Sequence, residues 1–164
     1  MTMKYRLPLV TFALFALTSL GAQAQQGTIE DYKKLADKGD TAAMWMVGFY
    51  YETGIGVEKD LFDAAYWYRK AAKQGNANGQ LSIGNCYYFG KGLDVNYDKA
   101  FEWYDKAAKQ GNGEAMYMLG VCTYNGQGTK KNVESALSWF RKAAAKGNEE
   151  AKKTLRKLGK PESE

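Results

Sequence analysis

The chain contains no histidine. That removes the commonest general base, the usual neutral metal ligand and every Ser–His–Asp or Cys–His pairing. Any catalysis would rest on carboxylates alone, and no catalytic set is expected. The only cysteines, Cys86 and Cys122, form neither a CxxC pair nor a zinc-ligand spacing, so no metal is expected. Export would invite a disulfide between them. However, they occupy the same place in adjacent units of the repeat described below. Stacked helices sit about 8–10 Å apart, whereas a disulfide needs Cα atoms within about 7 Å. Both are therefore expected to be free, buried thiols that act as small hydrophobes. Three Gly-x-Gly stretches, Gly54-Ile55-Gly56, Gly90-Lys91-Gly92 and Gly126-Gln127-Gly128, invite a phosphate-loop reading. Lys59, Val95 and Lys131 stand where the third glycine would be, and no strand precedes them. They read as turns, and no cofactor is expected.

The elements that position these residues come from a repeat. The stretch KAAKQGN occurs at Lys70–Asn76 and again at Lys106–Asn112, with KAAAKGN at Lys142–Asn148. The spacing is 36 residues, and Gly48/Gly84/Gly120, Ala64/Ala100/Ala136 and Trp67/Trp103/Trp139 obey it. A fixed period of this length marks a stacked array. The units are Thr41–Asn76, Ala77–Asn112 and Gly113–Asn148, each of two helices. In unit one the second helix presents Ala64, Trp67, Tyr68, Ala71 and Ala72 on one face. Asp60, Asn96 and Asn132 are its N-caps along the array, and Gly75, Gly111 and Gly147 stop it. Asn76, Asn112 and Asn148 cap the helix that follows. The tryptophans are expected to be structural wedges between layers. Residues 25–40 align with a second helix and form an N-terminal cap, beginning at Thr28. Residues 149–164 form a C-terminal cap and tail, in which Arg156 replaces the repeated glycine. Eight helices are expected.

These residues resemble Sel1-like repeats, relatives of tetratricopeptide repeats. The pattern is A-x₃-LG-x₂-Y-x₂-G-x-G-V-x₂-D-x₃-A-x₂-WY-x-KAA-x₂-GN, recurring in register over nearly all of the chain after residue 24. Unit three departs at Thr123, Thr129 and Asn132, and is expected to pack less tightly. The resemblance implies an all-α, right-handed solenoid of three repeats with terminal capping helices. It also implies a non-enzymatic protein that binds another protein in a concave groove. Two alternatives follow from the same resemblance: an immunity protein neutralising a secreted toxin, and a β-lactamase-like hydrolase.

In related tetratricopeptide arrays the first helices line the concave face. Opposite the core, unit one there offers Trp45, Phe49 and Glu52; unit two offers Leu81, Asn85, Tyr88 and Phe89; unit three offers Tyr117, Val121 and Tyr124. A solvated face should be charged and polar. Aromatics there favour a partner surface, because Trp and Tyr dominate binding hot spots. The competing reading is that superhelical winding buries some of them between neighbouring first helices.

Residues 1–24 read as a cleavable signal peptide: Lys4 and Arg6, an apolar run from Leu7 to Leu20, then Ala22-Gln23-Ala24. The run is shorter than the about 20 apolar residues of a spanning helix. The expectation is a bacterial periplasmic or secreted protein, cleaved near Ala24, with no transmembrane segment after cleavage. The remaining chain would hold 21 basic and 18 acidic residues. That mild excess does not argue for nucleic acid. An envelope or secreted protein is the expected partner.

Overall fold

The computed structural model describes residues 27–161. The signal peptide read in residues 1–24 lies outside them. The described residues form eight α-helices and no strand: α1 Ile29–Asp37, α2 Thr41–Thr53, α3 Leu61–Lys73, α4 Ala77–Phe89, α5 Tyr97–Lys109, α6 Gly113–Asn125, α7 Val133–Ala145 and α8 Glu149–Lys157. Each helix packs mainly on its neighbours in sequence, with a smaller contact between α2 and α4. The result is an all-α solenoid of three helix pairs with one single helix at each end.

Local chemistry explains why each helix starts and stops where it does. Thr28 and Asp31 form a reciprocal capping box at α1. Asp40 and Asp60 accept backbone N–H bonds at the starts of α2 and α3. Asn76, Asn96, Asn112, Asn132 and Asn148 do the same for the five helices that follow. First helices end on left-handed Gly54, Gly90 and Gly126. Second helices close at Gln74, Gln110 and Lys146, with the left-handed glycine one position later. The capping asparagines also look backwards along the array. Asn148 Nδ2 donates to Glu114 Oε2 at 2.6 Å, and Asn112 Nδ2 to Asn78 Oδ1 at 3.4 Å.

The wedges of the core are Tyr68, Tyr104 and Phe140, which are fully buried. Their rings fill the space left by Gly48, Gly84 and Gly120, where an added Cβ would lie 2.6, 2.6 and 2.5 Å from a ring carbon. Sequence reasoning gave the wedge role to the neighbouring tryptophans. Those are only half-buried, at layer boundaries, and Lys70, Lys106 and Lys142 lie over their rings at 4.6, 4.2 and 4.4 Å. The looser packing expected of unit three is also corrected. Its α6 buries eight residues where α2 buries four. Thr123 is accommodated because its hydroxyl donates to the Leu119 carbonyl at 2.7 Å within the same helix.

Candidate functional site

The face of the first helices is built from three dissimilar patches, because the residues there differ from unit to unit. In unit one, Trp45 stacks on Phe49 with ring centroids 6.0 Å apart. Its indole N–H donates to Ser82 Oγ of α4 at 3.0 Å, so this ring bridges two units. One turn on, Glu52 accepts the Tyr68 hydroxyl at 2.7 Å and the Lys91 ammonium at 2.6 Å. Burial by itself would raise the Glu52 pKa; the bonds from Lys91 and Tyr68 outweigh it and hold the carboxyl below its ordinary value. Phe49, Glu52, Thr53, Lys59, Leu61 and Lys91 line an open pocket of about 390 Å³.

Unit two solves the same polar problem at a different position. Asn85 accepts the Tyr104 hydroxyl at 2.8 Å. Tyr88 is thereby released from that role and donates to Gln127 Oε1 of the next turn at 2.7 Å. Its ring meets Phe89 and Tyr97 edge-on, at 4.8 and 5.2 Å. Leu81 is half-buried against the core that units two and three share, whereas Phe89 is exposed.

Unit three does not extend the stripe as expected. Tyr117 is 6% exposed and Val121 is 2% exposed, so both belong to the core. Tyr117 packs on Phe140 with ring centroids 5.6 Å apart. α6 is packed between α5 and α7, and neither residue contributes more than a trace of accessible surface. Tyr124 remains half-buried, with Lys131 over its ring.

Phe49 and Phe89 are the two aromatic members of the face that support no core cluster. Trp45, Tyr88 and Tyr124 all pack partly against the core. The sequence reading missed the link between units: the middle residue of a Gly-x-Gly turn reaches back to the first helix of the unit before, as Lys91 to Glu52 and Gln127 to Tyr88. The signal was present as a repeated separation of 39 residues, one period plus nearly one helical turn.

Cys86 and Cys122 are free and buried, and burial pushes both thiols up to about 12. Among the described residues no group of three His, Cys, Asp or Glu could hold a metal ion, and no helix is long and apolar enough to cross a membrane. The face offers aromatic surface beside a pocket bordered by the Glu52–Lys91 ion pair.

Comparisons with known proteins agree with that geometry. A family model described as Sel1 repeat matches residues 41–76, 77–112 and 113–148. Comparison with curated proteins finds no match. Among solved structures, a Sel1 repeat protein from Oxalobacter formigenes is similar with a TM-score of 0.70 and 38% identity, covering 79% of this chain and 97% of that one. A protective antigen of uropathogenic Escherichia coli with an SLR fold gives 0.72 and 39%, covering 75% of this chain and 26% of the antigen. This chain thus corresponds to about a quarter of the antigen's length. Cysteine-rich protein B of Helicobacter pylori gives 0.60 and 25%, covering 79% of this chain and 98% of that one.

Proposed function

The chain belongs to the Sel1 repeat family, and from that premise we propose that it is a non-enzymatic adaptor of the bacterial periplasm or exterior, holding a segment of another protein against its first helices. Sel1 repeat proteins generally mediate protein–protein interaction. The observation that carries the reading to this face is the pair Phe49 and Phe89. They are large aromatics that the core does not use, placed beside the pocket of α2 and the turn after α4. Aromatic side chains at the edge of a pocket give large contact area at little entropic cost. The leader read in residues 1–24 supports export, and the missing histidine supports a role without catalysis.

Two measurements test the proposal. Capture with crosslinking from envelope extract is expected to recover a specific partner, and Phe49→Ala/Phe89→Ala is expected to weaken it by about tenfold or more, near 1.4 kcal/mol. Neither side chain belongs to a core cluster, so the double variant should keep its helix content, with a lower unfolding midpoint only to the extent that Trp45 and Tyr88 lose their ring contacts. Unchanged partner affinity in that folded variant would move the binding face elsewhere. Amino-terminal sequencing of protein from the periplasmic or culture fraction should begin near Gln25; retention of the leader in the cytoplasm would overturn the location.

A further inference from the structure

The three units act as internal controls for one another on the outer side of their second helices. At the second residue of α3, α5 and α7 stand Phe62, Asp98 and Glu134. At the sixth residue stand Tyr66, Glu102 and Ser138. Units two and three follow the rule for a solvated helix face, which is to be polar or charged. Unit one breaks it twice, one turn apart and on the same face. Phe62 is 76% exposed and Tyr66 is 57% exposed. Neither belongs to or packs against a core cluster. The Tyr66 ring has an edge contact with Trp67, at 5.6 Å. Since the same helix folds in two other units with acids or serine at these positions, the fold does not call for aromatics here.

The next turns of α3 are cationic. Tyr66, Arg69, Lys70 and Lys73 line a shallow pocket of about 250 Å³ that has three cations and no carboxylate. None of the three is ion-paired among the described residues. Arg69 lies over the Tyr87 ring and Lys70 over Trp67, so both are held in place by aromatic surface and keep their charge uncompensated. The face is thus polar along the helix axis, with aromatics in the first half and cations in the second.

We infer that this outer face of α3 docks an acidic segment of a partner protein, its apolar side chains on Phe62 and Tyr66 and its carboxylates toward Arg69, Lys70 and Lys73. Two other occupants fit the charges less well. An anionic membrane would meet Asp60 and Asp63, which flank Phe62 at the point where the ring would insert. A second copy of the chain seated in parallel would bring three cations against three more, and an antiparallel copy would show itself as a concentration-dependent dimer. The inference does not rest on the first-helix face, which belongs to different helices.

The test uses a fluorescein-labelled octapeptide of two leucines followed by six glutamates, titrated with the chain and read by fluorescence anisotropy. Saturable, salt-sensitive binding is expected. Phe62→Asp/Tyr66→Glu writes the residues of unit two into unit one, so it should fold normally; it is expected to weaken the peptide at least about tenfold. Phe49→Ala/Phe89→Ala should leave the peptide unaffected, which separates this surface from the first-helix face. The inference is overturned if the chain does not bind the peptide at millimolar concentration, or if the Phe62/Tyr66 variant binds it as tightly as the parent. Equal binding of the matching lysine peptide overturns it too. Cosedimentation with phosphatidylglycerol vesicles that is lost in the Phe62/Tyr66 variant would replace it with a membrane surface. A concentration-dependent dimer lost in that variant would replace it with self-association.

Discussion

At the residue scale, the buried ring of each second helix shows how a hydroxyl is either matched or removed. Tyr68 donates to Glu52 and Tyr104 donates to Asn85, from two different positions of the first helix. In unit three those two positions hold Tyr124 and Val121, and the ring is Phe140, which has no hydroxyl. A buried hydroxyl without a partner costs about 1–3 kcal/mol, which accounts for the exchange. Phe140→Tyr is therefore expected to lower stability by about that amount in urea unfolding, and Val121→Asn in the same chain should recover part of it. Recovery absent from the double variant would mean that the hydroxyl of unit three points elsewhere. The glycines opposite these rings are equally exacting. Gly84→Ala forces a methyl group into the Tyr104 ring and should cost about 1–3 kcal/mol by overpacking. The two cysteines belong at this scale as well. With their thiols raised to about 12 they should not react with a thiol reagent at neutral pH in the folded chain, and denaturant should expose both. A count of zero in denaturant without reductant would reveal a disulfide.

At the element scale, the Gly-x-Gly turns are docking devices between units. A Cβ on Gly92 would fall on the Leu61 carbonyl oxygen, and one on Gly128 would fall on the Tyr97 carbonyl oxygen. The corresponding Gly56 has the same left-handed backbone, yet nothing lies within 4 Å of where its Cβ would be. Alanine at Gly56 should therefore cost only the left-handed strain, about 1–2 kcal/mol. Alanine at Gly92 or Gly128 should cost distinctly more, because the strain is joined by a clash with backbone. Equal thermal shifts for the three variants would contradict the docking role. Lys91, in the middle of the second turn, ties this contact to pH. The Glu52 carboxyl has a folded pKa below its ordinary value, so its contribution is complete above the unfolded value of about 4.3 and is lost as pH falls through the folded value. Glu52→Gln should lower the urea midpoint at pH 7 by the equivalent of about 1–2 kcal/mol, between the worth of an exposed and of a buried pair. The variant should also show a flatter acid limb than the parent; superimposable pH profiles would remove Glu52 from the clasp.

At the scale of the whole molecule, stability is shared between neighbours, because each helix packs chiefly on those next to it in sequence. Truncating an end should cost the terminal unit more than the centre; removing residues 149–164 is expected to destabilise unit three first, as seen by hydrogen exchange in α6 and α7 before α2 and α3. Much of this plan was legible in the sequence. The period, the caps at Asp60, Asn76 and their equivalents, the glycine stops and the helix count all depend on contacts within a few residues, so local chemistry suffices to specify them. The stripe of first-helix aromatics was legible as a pattern of residue types, but its exposure was not. Trp45, Leu81 and Tyr117 hold the same place in their units, yet Tyr117 lies in the core and the other two are half-buried, because that outcome depends on what the neighbouring helices pack over each position. The wedge role fell to Tyr68 rather than to Trp67 because only the residue facing the repeated glycine has room to enter. The outward pair Phe62 and Tyr66 stands out only once the structure shows that no neighbouring helix covers it. The sequence by itself determined the repeat, its capped helices and its family, since these follow from periodicity and short-range hydrogen bonding. Which side chains are spent on the core and which remain free to meet a partner was decided by tertiary structure, because burial is a property of the stacked units and not of any one of them.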